Sequence, residues 1–474
     1  MPERVVIIGG GVGGLMAALA FGRAGHPVTL LERDPLPPTA DAEEAFAAER
    51  RGAPQVHQTH GFLARLQVLL RERFPDVLED LLAAGGSTLP MTRNLGDPQP
   101  GDEDLQVIIT RRTTLEWVIR KEAMAQDGVE VRTGTAVRGL VAGPPAADGT
   151  PVVAGVRLED GTELAADIVL ACTGRRGDVP GWLAEIGVDV PETVHESGLM
   201  YLTRWYRTPE VEVPHDAKLG GDLGFVKFLG IPGDGGTLSV TLAVRTADTE
   251  LRLALSDPDR FDRACQLLPG PDLFFADGPM EPIGGVRPMT GLLNRLRRFV
   301  DEDGRPTVLG FHAIGDAHTT TNPLYGRGCS LAAVQATLLV DAAAAHPGDP
   351  ASRAAAYEAA CRREVEPWFE ASVQMDRMGA DPSGRGGLGG GGGSDPASRG
   401  IAAVFAAAAT DPILGRALAR FMNLLTTPAE LMADGAVLAR MAEVMADPDA
   451  YPVPPQEGPS RGALLESLAA SPAA

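Results

Sequence analysis

Two glycine clusters roughly three hundred positions apart hold most of the chemistry in this sequence. The first is "GGGVGG" at residues 9–14, where Gly9, Gly11 and Gly14 satisfy G-x-G-x-x-G and Gly13 lies inside the motif. In that spacing the first glycine permits a tight turn out of a strand. The second lets a diphosphate approach the backbone, and the third lets helix and strand pack closely. The anion then meets the free N–H groups and the positive dipole end of a helix. Glu32 stands 18 positions after Gly14, close to the ~20 expected of an acid that binds the adenosine ribose. Arg33 follows it as a further candidate contact. The second cluster, "GDAHTTTNPLYGRGCSLAAVQA" at 315–336, sets Asp316, Pro323, Gly326 and Gly328 directly before a run of helix formers. One dinucleotide loop serves NAD and FAD alike. A second such loop far downstream fits a larger cofactor that spans both. Asp316 would hold its ribitol, the backbone at Gly326 and Gly328 would approach flavin and phosphates, and a helix from near Ser330 would add a second positive end.

The elements that must position these residues can be read around them. "RVVII" (4–8) is a β-branched run of the kind found in buried parallel strands, "GGGVGGLMAALAFGRAG" is a glycine turn opening a small-residue helix, and "HPVTLLERD" is a second strand ending in acid. Together they make one βαβ unit. Residues 60–86 have helical spacing of Phe62, Leu66, Leu69 and Leu70, and "TTLEWVIRKEAMAQ" reads as another helix. "VEVRTGTAVRGLVA" and "VAGVRLEDGTELAADIVLACTG" alternate like strands. Between 190 and 300 the texture is strand-like, as in "LMYLTRWYRT", "LGFVKFLGI" and "GTLSVTLAVRT". "SLAAVQATLLVDAAAAH" reads as a long helix. The expected class is α/β: a discontinuous Rossmann-like FAD-binding domain (1–190 and 301–383), a sheet-based substrate domain (191–300), a Gly-rich linker (384–400) and a C-terminal helical tail (401–474). Helix starts are expected at Asp411-Pro412 and Thr427-Pro428, and the last ~20 residues are expected to fray.

Bulk properties narrow the partners. A net charge of −21 over 474 residues repels nucleic acid and anionic membrane alike. No run of 18 uninterrupted apolar residues is present, so no membrane span is expected. Four dispersed cysteines, Cys172, Cys265, Cys329 and Cys361, without a C-x-x-C pair, fit free thiols and a cytoplasmic setting. His57 and His60 are three apart with no further ligands near them in sequence, so they read as polar loop residues and no metal is expected.

With both clusters in view, the chain resembles the flavin-dependent monooxygenases of the para-hydroxybenzoate hydroxylase fold, and among them bacterial epoxidases and hydroxylases of secondary metabolism. The similarity runs through "GGGVGG" with Glu32, "RRTTLEWVIR", "APQVHQTHGFLARLQVLLRERFPDVLEDLLAAGG", "ACTGRRGDVPGWLAEIG", the 315–336 loop and "FMNLLTTPAELM". The resemblance implies FAD as cofactor. Its contacts would be Gly9, Gly11, Gly13, Gly14, Glu32, Arg33, Asp316, Pro323, Gly326 and Gly328. Arg112 falls on the arginine position that usually lies against the cofactor, with Arg111 and Arg120 as alternatives. It also implies O2, a small-molecule substrate, and NAD(P)H as electron donor. Family members that reduce their own flavin carry an Asp-Gly pair where this chain has "ACTGRRGD". Reduction is therefore expected either directly, with Arg175 and Arg176 attracting a phosphate, or through a separate flavin reductase.

The expected activity is insertion of one oxygen atom, by hydroxylation or epoxidation, into an apolar or aromatic metabolite. Because the cofactor does the chemistry, no catalytic triad or carboxylate pair is required, and the catalytic residues stay unassigned. The substrate is expected between the sheet and the flavin, walled by Trp205, Tyr206, Phe225 and Phe228, with Arg204 and Arg245 meeting either an anionic group or solvent. His318 would touch the flavin edge or serve a structural bond. Rival readings on the same motifs are a halogenase (although the Trp-x-Trp-x-Ile-Pro signature is absent), a reductase or saturase, and a non-catalytic FAD-binding partner protein.

Overall fold

The structure is a computed structural model describing residues 2–36, 39–208, 219–276, 280–379, 396–453 and 457–469. Val5–Ile8 is buried along its whole length because it has a parallel neighbour on each side, Val28–Leu31 and Ile168–Ala171. Val129–Arg132 and Phe311–Ala313 extend the sheet outward to five parallel strands. Both faces of such a sheet are covered, which is why "VVII" and "IVLA" show no polar alternation.

Two helices rich in small residues lie together against this sheet. Val12–Arg23 follows the first strand, and a Cβ on Gly13 would sit 3.3 Å from Cβ of Ala332 on the Gly328–Ala345 helix. The second helix is long and apolar enough to cross a membrane, but 67% of it is buried inside the chain. It packs against Val12–Arg23, Ala64–Arg73 and Pro350–Glu364, so its composition is that of a core helix. The helical stretch expected at 60–86 is two helices, Ala64–Arg73 and Pro75–Ala83. The chain breaks at Phe74 because Pro75 cannot donate to the first helix and suits the start of the next.

The second sheet is antiparallel, in the order Gly220–Asp222, Val226–Gly233, Thr237–Arg245, Leu199–Arg207, Glu281–Met289. Strand alternation gives it two unlike faces. Leu202, Tyr206, Val240, Leu242 and Phe228 pack onto the helices Thr249–Ser256 and Pro258–Leu267, and the opposite face looks toward the parallel sheet. Leu293–Arg297 does not join this sheet. It pairs with Glu192–Glu196 and Thr319–Thr320 in a small sheet at the seam between the two larger ones.

Of the Gly-rich stretch, residues 384–395 lie outside the described residues, while 396–400 already belong to the helix Pro396–Ala408. The tail helices Pro396–Ala408, Pro412–Met422 and Gly435–Ala446 share a core of Ala403, Ala407, Leu414, Val437 and Val444. Asp411 caps the second of these through the amides of Ile413 and Leu414, and Thr427 and Glu430 form a capping box at Pro428–Leu431. The expected fraying of the final residues does not occur over 461–469. Arg461–Ala469 buries Leu464 and Leu468 in the second sheet's core, and Arg461 clasps Asp248 with two 2.7 Å bonds. All four cysteines are free.

Candidate functional site

Between the parallel sheet and the second sheet lies a cavity of about 1470 Å³. That exceeds the ~300–1,000 Å³ of a typical single-ligand pocket. Every cofactor candidate from the sequence lines it except Gly14. Gly14 serves the packing role its motif position implies, since a Cβ there would lie 1.9 Å from the Gly9 carbonyl oxygen. Gly9 has φ +111°, and a Cβ on it would meet the Cys172 carbonyl oxygen at 2.4 Å, so only glycine turns the chain there.

Gly11 and Gly328 are different: their open faces look into the cavity. A Cβ on Gly11 would meet nothing nearer than Arg112 Nη2 at 3.8 Å, and one on Gly328 would meet nothing within 4 Å. Each stands at the start of a helix whose N-terminal residue offers no side-chain cap. The first-turn amides of both helices are thus left to whatever occupies the cavity, an arrangement suited to a diphosphate. These residues fit a dinucleotide cofactor.

Charged side chains around the cradle are arranged in two buried groups. Glu32 accepts from the Gly10 amide and the Asp34 amide, both at 2.8 Å, and from Arg50 at 3.3 Å. Three of about four acceptor positions on its carboxylate are filled, which leaves one for a ribose hydroxyl. Arg50 also bonds Asp34 and Glu116, at 3.3 and 2.8 Å. Glu116 in turn holds Arg112 at 2.9 Å, and Arg112 faces His60 Nε2 at 3.4 Å. Burial opposes the Arg112 charge, but Cys329, Glu116 and Asp316 around it raise its pKa. Burial lowers His60 to about 3, helped by Arg112, so the ring is neutral. The Asp316 carboxylate receives no hydrogen bond from the described residues. Burial pushes its pKa up against the pull of Arg112, Arg175 and Arg295. Such a carboxylate is available to a hydroxyl-bearing ligand.

The three candidate arginines separate cleanly. Arg111 turns away to Asp234, and Arg120 reaches Thr39 at 3.2 Å outside the cavity; only Arg112 lines it. Arg33, Arg175 and Arg176 also line the cavity; Arg33 bonds the Gly52 carbonyl at 3.3 Å and Arg175 the Gly291 carbonyl at 3.0 Å. Asp178 of the same segment is occupied as a helix cap on Gly181.

The substrate-wall expectation needs correction. Phe225 lines the cavity, but Trp205 and Tyr206 do not. They are consecutive on one strand and must point to opposite faces. Tyr206 is buried on the helix-covered face, where its hydroxyl meets Asp262 at 2.5 Å. Trp205 is on the other face but beyond the cavity's edge, donating to the His57 carbonyl at 2.7 Å and packing on Phe46. Phe228 edges the cavity from the helix-covered side and belongs mainly to that core. The wall is instead Tyr201, Leu229, Ile231, Thr241 and Ala243, which share the exposed parity of three adjacent strands. Arg204 is on the helix-covered face, bonded to Asp262, whereas Arg245 lines the cavity. His318 does not reach the cavity either; it is buried against Phe299 and Tyr357, with Nδ1 2.7 Å from Thr319 Oγ1. Sequence reasoning missed Arg50, Tyr201 and the tail residues Met422 and Asn423. The last two line the cavity as well.

Comparison with known proteins agrees with this geometry. Residues 4–37 match the family model described as FAD binding domain. No curated protein sequence matches the chain. Among solved structures, p-nitrophenol 4-monooxygenase PnpA from Pseudomonas putida DLL-E4 is 19% identical with TM-score 0.63, covering 90% of this chain and 98% of its own. Anhydrotetracycline hydroxylase OxyS from Streptomyces rimosus is 20% identical with TM-score 0.59, covering 90% and 77%. The flavin-dependent brominase Bmp2 is 16% identical with TM-score 0.53, covering 95% and 100%. The chain therefore has the fold shared by these enzymes, a Rossmann-like sheet domain joined to an antiparallel sheet, as the sequence motifs implied.

Proposed function

We propose that this chain is an FAD-dependent monooxygenase that inserts one oxygen atom of O2, by hydroxylation or epoxidation, into an apolar or aromatic metabolite. The observation that carries the reading is the convergence of the two glycine loops on one cavity that is larger than a typical single-ligand pocket and is walled on one side by the second sheet. FAD would lie across both loops. The amides at Gly11 and Gly328 would receive its diphosphate, Glu32 its adenosine ribose and Asp316 its ribityl chain, with Arg112 compensating negative charge between them. Bound FAD, once reduced, supplies the activation of O2 and the transfer of an oxygen atom.

The chain's own part is to orient the substrate and keep water out. Leu229, Ile231 and Ala243 give an apolar wall, and Phe62, Leu63 and Ile109 line the cavity elsewhere. The hydroxyls of Tyr201 and Thr241, on the same wall, would fix orientation. NAD(P)H is the proposed electron donor, directly or through a separate reductase. Arg175 and Arg176, which line the cavity, would attract its phosphates.

The test is an anaerobic absorbance titration of FAD-loaded protein with NADH and NADPH, followed by admission of O2 in the presence of candidate metabolites. Bleaching of the oxidised flavin band, then a product carrying one atom of 18O from labelled O2, is the expected result. A band that bleaches only when a flavin reductase is added would assign reduction to a partner. Product formed without O2 uptake would replace the proposal by a reductase, and product that needs bromide by a halogenase. Protein that retains no FAD would end the reading.

A further inference from the structure

The tail is more than a cover for the fold: its second helix completes a wall of the cavity. Met422 and Asn423, at the end of Pro412–Met422, line the cavity. The attachment is built from several independent contacts. Arg416 grips Asp102 through two bonds of 2.9 and 2.8 Å, and donates to the carbonyls of Leu95 and Asp97 at 2.9 Å each. Gly415 lets this helix come close, since a Cβ there would meet Leu95 Cδ2 at 2.3 Å. Phe421 packs on Trp368 at 5.7 Å between ring centroids, and Leu424 is buried in the main core of the parallel-sheet domain.

Asn423 is the point where this docking reaches the site. The helix Ala64–Arg73 begins at Leu63, which offers no side-chain cap. Asn423 supplies that cap from 359 positions away: its Oδ1 accepts the Ala64 amide at 3.1 Å, and its carbonyl accepts the Arg65 amide at 3.2 Å. Its own amide nitrogen Nδ2 donates to the Ala419 carbonyl at 3.0 Å, which locks the rotamer. The next residue, Leu424, has φ +63° and is the single non-glycine residue with positive φ among the described residues. An apolar side chain in that conformation is strained and persists where the surroundings impose it. The segment that Asn423 steadies, Gln58 to Leu63, lines the cavity in full. It carries His60 beside Arg112, and the Gly61 carbonyl and Leu63 side chain approach Gly326 of the second glycine loop.

We infer that Asn423 is a positioning residue of the site, capping the Ala64–Arg73 helix from a distant part of the same chain so that docking of the tail fixes the 58–63 wall against Arg112 and Gly326. The inference rests on the cavity being the FAD site proposed above, and its test separates the two. In the full chain, Asn423→Ala should raise hydrogen exchange at the Ala64 and Arg65 amides, and at those of 59–62, by about five- to tenfold, as expected for a lost cap. FAD should leave the loaded variant faster by a similar factor. Asn423→Asp keeps the accepting oxygen but loses the Nδ2 donor to Ala419, and should restore both in part. Arg461→Ala, which loosens the tail's last helix from the second sheet, serves as a control that should change neither readout. Unchanged exchange at 59–65 in Asn423→Ala would overturn the inference, as would equal effects in Asn423→Ala and Asn423→Asp. Should wild-type protein retain no FAD, the function proposal fails, and exchange in the free chain still decides this one. Should Asn423→Ala be too unstable to purify, Asn423→Leu, which fills the same space without an accepting oxygen, would replace it; the same rise in exchange at 59–65 is expected, and unchanged exchange would overturn the inference.

Discussion

Arg111, which turns away from the cavity, makes the sharpest energetic claim. Asp234 is fully buried on the 233–236 turn of the second sheet and accepts five hydrogen bonds: from Thr110 Oγ1, the Arg111 amide, Arg111 Nε, Arg111 Nη2 and Thr114 Oγ1, at 2.6–2.9 Å. This latch joins the second sheet to the start of Arg112–Met124, the helix that presents Arg112. Removing one partner leaves the other charge buried, which costs about 3–5 kcal/mol. Glu43 stays 2.6 Å from Arg111 but is 46% exposed, so it offsets about 1 kcal/mol at most. Asp234→Leu and Arg111→Met should therefore each cost about 3 kcal/mol. In urea denaturation of the full chain that is a fall in midpoint of about 1 M if the slope is near 3 kcal/mol per M. The double variant removes both charges together and should lie within about 1 kcal/mol of wild type. The cycle should thus give a coupling of at least ~2 kcal/mol. Additive single effects, or a cost under about 1 kcal/mol for either, would refute the reasoning. Acidity provides a second reading of the same latch. Burial opposes the Asp234 charge, yet the bonds from Arg111 and Thr114 hold its pKa below the usual value. Its contribution is complete above the unfolded pKa of about 4 and is lost as pH falls through the folded value. Asp234→Asn should remove that part of the acid sensitivity.

Other expectations follow from the same geometry. Gly11→Ala has room for its methyl group and should keep the melting temperature of the free chain while weakening FAD binding at least about tenfold. Gly14→Ala would press Cβ to 1.9 Å from the Gly9 carbonyl and should compromise folding itself; FAD retention and thermal melting separate the two. Arg112→Met should weaken FAD binding, whereas Arg120→Met should not, as measured by flavin fluorescence on dilution. Burial, with Arg353 nearby, holds His312 neutral with a pKa near 3. Below about pH 6.5 the unfolded chain alone gains that proton, so stability falls with pH by up to about 1.4 kcal/mol per unit; His312→Leu should flatten the melting temperature profile between pH 4 and 6. Tyr206→Phe should cost about 1 kcal/mol through its bond to Asp262 and leave metabolite-stimulated flavin reduction unchanged, while Ile231→Trp should suppress that stimulation with little effect on melting.

What was legible in the sequence shares a physical trait: its requirement is local. Gly9 must be glycine because of its own φ of +111° in the turn that leaves the first strand, and the run "VVII" signals burial on both faces by itself. The acid at the end of the second strand follows from the same unit. Residues that act through partners distant in sequence left no comparable signal. Arg50 lies in an irregular segment without periodicity, and its meaning comes from Glu32, Asp34 and Glu116, which only the fold gathers. Trp205 and Tyr206 attract notice as aromatics, but their parity depends on which face the helices Thr249–Ser256 and Pro258–Leu267 cover, and a register shift between Thr203 and Trp205 complicates the count. The choice among Arg111, Arg112 and Arg120 was open for the same reason, since Asp234 claims Arg111 from 123 positions away. Asn423 is the extreme case. In "FMNLLTTPAELM" it reads as a polar residue at a helix end, because the helix it caps is 359 positions earlier. A cap is a local device in its geometry and a long-range one in its sequence. The cavity's far wall was therefore invisible until chain segments that share no motif were brought together.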